Sequence, residues 1–372
     1  MRVFFIVLDS FGIGGAKDAA AFGDEGANTL LSLTKTENFN APNLQKLGLF
    51  NIDGLEYNLK VDSPIASYAR MRELSAGKDT TVGHFELMGA VSKRPFPTYP
   101  NGFPKEIIDK LEAAFGRKIL CNKPYSGTAV INDYGDKHVK TGALIVYTSA
   151  DSVLQIAAHE DVVPVDKLYE YCKIARAIMT GEHAVGRVIA RPFVGSNGNY
   201  TRTPRRHDFS VTPPSKTALD ELKDKGFDTI GVGKTYDIFA GCGISESLGV
   251  NENNADGMKK TENLLSRDFN GIALINLVDF DMVYGHRRDS VGYAKAIMEF
   301  DAWLYGFLPK LKTDDTLIIT ADHGCDPDFK GTDHTREDVP LLIYNKGASP
   351  KNLGTADSFT FAADYVRKIF GI

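Results

Sequence analysis

Aspartate and histidine side by side offer oxygen and nitrogen lone pairs, a donor set that divalent metal ions accept. Two such pairs, Asp322-His323 and Asp333-His334, stand in the stretch from Thr316 to Thr335. The same chemistry recurs elsewhere. Asp9 follows the apolar run Val3 to Leu8, and Asp281 and His286 follow the apolar run Gly271 to Val278. A single Asp-His pair reads most simply as a turn with satisfied polar groups. Three carboxylates (Asp9, Asp281, Asp322) and three imidazoles (His286, His323, His334) are more than one tetrahedral ion with an open position uses. They suit two ions about 4 Å apart that share a ligand. Two divalent ions and three aspartates leave surplus positive charge, which favours an anion such as phosphate.

A candidate nucleophile lies in Gly77-Lys-Asp-Thr-Thr-Val-Gly-His-Phe-Glu-Leu-Met-Gly89. A threonine at a helix start is ordinarily an N-cap. Beside a metal ion its hydroxyl pKa would fall, and it could attack phosphorus in line. Cys325, next to the Asp322 motif, is expected to be a small neighbour of the site rather than a soft ligand.

These residues need a fold that delivers them to one edge. Val3 to Leu8 is a continuous apolar run, as in a strand buried on both faces of a parallel sheet. Asp9 would then sit where open α/β sheets place their ligands. The Gly-rich turn after it matches neither phosphate-loop pattern, so a nucleotide site is rejected. Further strands are expected at 65–71, 228–232, 271–278, 316–320 and 340–344. Helices are expected at 41–48, 216–225, 293–311 and 359–370. Alternating strands and helices predict a doubly wound, mostly parallel α/β sheet. Between about Val91 and Pro213 the texture turns Pro- and Gly-rich. Short strands (143–148, 186–190) and helices (105–115, 166–180) there predict an inserted α+β domain. The expected division is a discontinuous core of residues 1–90 and 214–372, with residues 91–213 inserted. Arg187, Arg191, Arg202, Arg205 and Arg206 lie in the insert, as a solvated face or a phosphate clamp.

Composition narrows the partners. Hydrophobic residues make up 43% and charged residues 24% of the 372 residues, an ordinary soluble globular balance, and the net charge of −5 gives no basic field for nucleic acid or an anionic membrane. Four dispersed cysteines without a CxxC argue against a disulfide framework and for a reducing cytoplasm. The first apolar run is too short for a signal peptide or a membrane span, so the mature chain is expected to begin at residue 1.

Five segments together resemble the alkaline phosphatase superfamily. They are Asp9-Ser-Phe-Gly-Ile-Gly14, Gly77-Lys-Asp-Thr-Thr-Val-Gly-His84, Asp279-Phe-Asp-Met-Val-Tyr-Gly-His-Arg-Arg-Asp289, Asp322-His-Gly324 and Asp333-His-Thr-Arg-Glu-Asp-Val-Pro340. With Tyr147 to Glu160 and Gly186 to Gly195 of the insert, the likeness is to bacterial phosphopentomutases over nearly the whole chain. That resemblance implies an alkaline-phosphatase-like core with an inserted α+β cap domain. It implies two manganese ions (other divalent metals being possible), one held by Asp281, His286 and His334, the other by Asp9, Asp322 and His323. It implies Thr80 as the nucleophile, a sugar bisphosphate primer, and substrate contacts at or near Ser149, Asp151, Arg187, Arg202 and Lys234. The implied reaction interconverts (deoxy)ribose 1-phosphate and 5-phosphate; partners are small sugar phosphates, with no obligate protein partner. Another two-metal phosphatase or a phosphoglycerate mutase is the neighbouring alternative, and a non-catalytic metal-binding or sugar-phosphate sensor the distant one. Val82 and Phe85 depart from the family pattern, where Thr and Trp are expected.

Overall fold

The computed structural model describes residues 1–149 and 151–372; Ala150, within the stretch Tyr147 to Glu160, lies outside the described residues. The chain forms two compact units, Met1–Arg94 with Pro213–Ile372, and Pro95–Thr212. The first unit opens with β1 (Arg2–Leu8) and β2 (Ser67–Met71). The second holds β3 (Ile119–Pro124), β4 (Leu144–Thr148), β5 (Val153–His159), β6 (Arg187–Ser196), β7 (Asn199–Arg202) and β8 (His207–Ser210). The first unit then resumes with β9 (Asp228–Val232), β10 (Glu246–Ser247), β11 (Gly271–Leu277), β12 (Asp315–Thr320), β13 (Val339–Tyr344) and β14 (Asn352–Ala356).

The first unit is built on an eight-stranded sheet in the order β10-β9-β11-β1-β12-β13-β2-β14. β10, β9, β11, β1 and β12 are mutually parallel, and β13 runs antiparallel to both its neighbours. All seven residues of β1 are buried, as expected for a strand covered on both faces. Burying side chains such as Phe4, Phe5 and Ile6 contributes roughly 1.5–3 kcal/mol each, and this strand anchors the whole sheet. Register then fixes the site: Leu8 pairs with Leu277, and Val7 with Thr320. The chain therefore leaves β1, β11 and β12 at neighbouring points of one sheet edge.

The second unit carries a six-stranded sheet, β3-β4-β5-β6-β7 with β8 on β6. One face packs on the helices Lys105–Phe115 and Val165–Ile178, through Ile107, Leu111, Leu168 and Cys172. The other packs on the helix Ala129–Thr141, through Val130 and Ile131. That helix and the wholly buried strand β5 are absent from the sequence-level expectations. β6 also runs on to Ser196 rather than stopping at residue 190.

Candidate metal centre

Asp9 and Asp322 lie just beyond β1 and β12 and are fully buried. Asp281 stands within a π-helical turn, Phe280–Gly285, rather than at the strand end itself. The wider turn carries Asp281 and the following His286 to the same point, a common use of π-helical turns at functional sites. His334 arrives on the loop after Asp322. The imidazoles gather closely: ring centroids of His323 and His334 are 4.2 Å apart, and those of His286 and His334 are 4.7 Å apart.

Two groups of donor atoms each converge to within 4.8 Å, Asp281 with His286 and His334, and Asp9 with Asp281 and His323. The first has the same members as a triad that the family resemblance implies. The second contains Asp281 where Asp322 was expected. Asp322 remains adjacent, with Oδ2 3.5 Å from His323 Nε2, but the same oxygen lies 2.9 Å from His84 Nδ1.

The donor chemistry fits divalent cations. His286 Nδ1 donates to the Thr332 carbonyl (2.6 Å) and His323 Nδ1 to the Gly324 carbonyl (3.0 Å), which turns both Nε2 lone pairs inward. This is the usual backing of metal-bound imidazoles. Asp281 Oδ1, Asp322 Oδ2 and His334 Nε2 are buried and make no well-formed hydrogen bond among the described residues: Asp281 Oδ1 faces His334 Nε2 at 3.4 Å, and Asp322 Oδ2 has only the His84 contact. Such orphaned atoms are rare in folded proteins unless something else satisfies them. The ionisation balance points the same way. Burial pushes the Asp9 carboxyl up, and the neighbouring Asp322 charge adds to it. Burial opposes a charged Asp281, yet His286 and His334 hold it well below the usual carboxylate range. Its hydrogen bond to Asp281 pushes His286 up to about 9. Without a cation, the carboxylates draw protons onto the imidazoles, and a metal ion would replace those protons.

Thr80 is the first residue of the helix Thr80–Leu87, and Asp79 is its N-cap, accepting from the N–H groups of Thr81 and Val82. The capping role expected for a threonine is therefore taken by Asp79, which leaves the Thr80 hydroxyl available. Its Oγ1 lies 3.1 Å from His323 Nε2 and 3.5 Å from Asp9 Oδ1. The helix approaches this closely because of Gly83, where an added Cβ would stand 2.0 Å from the Asp322 carbonyl oxygen. Val82 and Phe85 are fully buried, Phe85 packing on Phe239 at 5.5 Å. Asp333 points outward and pairs with Lys78 at 3.6 Å. Cys325 is buried with its thiol pushed up by burial, and it belongs to neither converging group.

The family model described as the Metalloenzyme superfamily matches residues 1–371. A curated phosphopentomutase of Lachnoclostridium phytofermentans is 55% identical over 374 residues, covering 100% of this chain and 95% of the relative. Another, of Carboxydothermus hydrogenoformans, is 54% identical, covering 100% and 96%. The chain belongs to the phosphopentomutase family. It is accordingly an enzyme, an isomerase that transfers a phosphoryl group, and it uses divalent metal. Among solved structures, the PH0037 protein from Pyrococcus horikoshii resembles it in fold, with a TM-score of 0.50 at 16% identity, covering 99% of this chain and 97% of that one. No helix among the described residues is long and apolar enough to cross a membrane.

Of the substrate contacts that the family resemblance implies, Ser149, Asp151 and Arg187 are neighbours. The Asp151 N–H donates to Ser149 Oγ (3.3 Å), and Asp151 Oδ2 lies 3.9 Å from Arg187 Nη2. Arg202 pairs instead with Phe193, towards the other end of β6. Lys234, in the other unit, has Nζ 4.0 Å from Met282 Sδ. Two buried residues at the centre escaped the sequence reading, His84 and Asn276. His84 is one helical turn after Thr80. Asn276 is a lone polar residue inside the apolar strand Gly-Ile-Ala-Leu-Ile-Asn-Leu, and that misfit was its available signal.

Proposed function

We propose that the enzyme interconverts the 1-phosphate and the 5-phosphate of ribose and 2-deoxyribose, with Thr80 as the phosphoryl carrier. The observation that carries this reading is the Thr80 hydroxyl, free of capping duty and 3.1 Å from His323 Nε2 among the converging donors. In the first half-reaction the bond from phosphorus to Thr80 Oγ1 breaks and a bond to the sugar hydroxyl oxygen forms. The sugar's proton passes to the threonine oxygen, and a 1,5-bisphosphate results. In the second half the other phosphate returns to Thr80, and the proton returns to the sugar.

We assign Asp281, His286 and His334 to one manganese ion and Asp9, Asp322 and His323 to the other, with Thr80 at their junction. Such a pair of ions lowers hydroxyl pKa values and neutralises charge on the phosphoryl oxygens. Asp281, which also converges with Asp9 and His323, is suited to sit between the two sets. Ser149, Asp151, Arg187, Arg202 and Lys234 are assigned to sugar-phosphate recognition, where arginine forks suit phosphate. A sugar bisphosphate would prime an unphosphorylated enzyme, and the four free cysteines accord with the cytoplasm.

The test combines product analysis with intact mass. Ribose 5-phosphate and manganese, with a bisphosphate primer, should yield ribose 1-phosphate, and a phosphate adduct should map to Thr80. Inorganic phosphate as the sole product would favour a phosphatase and end the mutase reading. Full activity in Thr80→Ala would remove Thr80 as carrier.

A further inference from the structure

A run of buried polar side chains joins three strand ends to the Thr80 helix. Asn276 Nδ2 donates to Asp9 Oδ2 at 2.8 Å and lies 3.3 Å from His84 Nε2. An amide nitrogen carries two protons, so it can serve both. That makes His84 Nε2 the acceptor and puts the imidazole proton on Nδ1. His84 Nδ1 lies 2.9 Å from the Thr80 carbonyl oxygen and 2.9 Å from Asp322 Oδ2. The donors thus run in one direction, from Asn276 to Asp9 and His84, and from His84 to the Thr80 carbonyl at the edge of Asp322. The backbone N–H of Ser10 holds the other Asp322 oxygen, Oδ1, at 3.1 Å.

The unsatisfied end of the amide is informative. Asn276 is fully buried, and its Oδ1 finds no donor among the described residues. A buried acceptor without a partner costs about 1–3 kcal/mol, and a leucine in this apolar strand would carry no such penalty. Packing alone gives no reason for asparagine here. Its two N–H groups do, because they hold one ligand carboxylate directly and set the tautomer of the imidazole beside the other.

We infer that Asn276 and His84 are positioning residues that fix Asp9, Asp322 and the Thr80 backbone as one unit, and so set the affinity of one of the two metal sites and not the other. This rests on the assignment of the two ions given above. Neither residue belongs to the converging donor groups.

The test is Mn2+ binding to the full chain without sugar phosphate, read by calorimetry and elemental analysis, alongside the melting temperature of the metal-free protein. In Asn276→Leu the site of Asp281, His286 and His334 should bind as in the wild type. The second ion should bind about ten- to a hundredfold more weakly, the usual effect of losing a ligand's supporting hydrogen bond. The metal-free melting temperature should not fall. Two ions bound with wild-type affinity, or equal weakening of both, would overturn the inference, as would a wild-type protein that takes up one ion only. Should Asn276→Leu not fold, His84→Asn and His84→Gln decide. Asparagine keeps a donor at the place of Nδ1 and glutamine does not, so the second ion should survive in the first variant and be lost in the second. Equal behaviour of the two would sink the idea. A wild-type protein that binds two ions but makes no ribose 1-phosphate would end the mutase reading and leave this inference standing.

Discussion

Two buried charge clusters are fed by one segment, Asp322 to Asp338, and they are finished differently. In the candidate metal centre, Asp281 Oδ1, Asp322 Oδ2 and His334 Nε2 make no well-formed hydrogen bond among the described residues and are approached only by one another's or His84's ionisable groups. A few residues on, Arg336 spends every guanidinium N–H on protein acceptors. Nε and Nη2 reach Asp18, Nη1 reaches Glu73 Oε2 and the Gly77 carbonyl, and Nη2 also reaches the Glu73 carbonyl. The next residue, Glu337, accepts from Gly14 N–H, Thr29 N–H, Thr29 Oγ1 and Thr335 Oγ1 at 2.6–2.9 Å, although Glu73 Oε1 and Asp338 Oδ1 stay open in that neighbourhood. A buried charge whose hydrogen-bonding capacity is met by the protein fastens loops together. Open lone pairs that converge from several carboxylates and imidazoles, as in the candidate centre, suit a cation.

The contrast breaks most readily at Asp9. Asp9→Asn keeps the shape and removes one ligand charge, so activity should fall on the order of a thousandfold or more, since metal sites supply several kcal/mol of transition-state stabilisation. The metal-free melting temperature should stay level or rise, because burial and Asp322 already disfavour the Asp9 charge. A large drop in that temperature would make Asp9 architectural and erase the distinction. Arg336→Ala should do the reverse. It leaves the buried Glu73 carboxylate unpaired, a loss of about 3–5 kcal/mol, seen in urea unfolding with and without Mn2+. A loss below about 1 kcal/mol would show that the second cluster fastens nothing.

Both clusters were only partly legible in the sequence. The apolar runs of β1, β11 and β12 announced a buried parallel sheet, and acids just past their ends announced chemistry, since both signals are local. The pairing of Val7 with Thr320 is not local, and no periodicity contains it. Asp281 looked like one more strand-end acid, but its π-helical turn lets it converge with both donor groups. Asp79 rather than Thr80 turned out to cap the helix, because competition between adjacent capping residues is settled by backbone geometry. Arg336 and Glu337 sit in a quoted motif, yet their partners Asp18, Thr29 and Glu73 are hundreds of residues away. Nothing in Thr-Arg-Glu-Asp distinguishes a solvated run from a buried one.

Glu337 gives the smallest and sharpest separation of the two clusters. Burial pushes its carboxyl up to about 7, against the hydrogen bonds from Thr335 and Thr29 that hold it down. Its folded pKa therefore lies above that of the unfolded chain, near the ordinary glutamate value of about 4.3. The native state keeps a proton that the unfolded state has released. The stability it contributes is fully present below about pH 4.3 and is lost as pH rises through about 7. The slope in that window is at most about 1.4 kcal/mol per pH unit. His286, also raised, loses its contribution progressively from about pH 6.5 to about 9, so the two windows overlap above about pH 6.5 and the difference from Glu337→Gln is what isolates Glu337. Urea unfolding of the metal-free protein between pH 5 and pH 8 should show the decline, and Glu337→Gln, which cannot titrate, should lack it at equal ionic strength. If the wild-type and Glu337→Gln profiles run parallel across that range, Glu337 is ionised throughout. Its four donors would then outweigh its burial, and this second cluster would be fastened by a charge rather than by a shared proton.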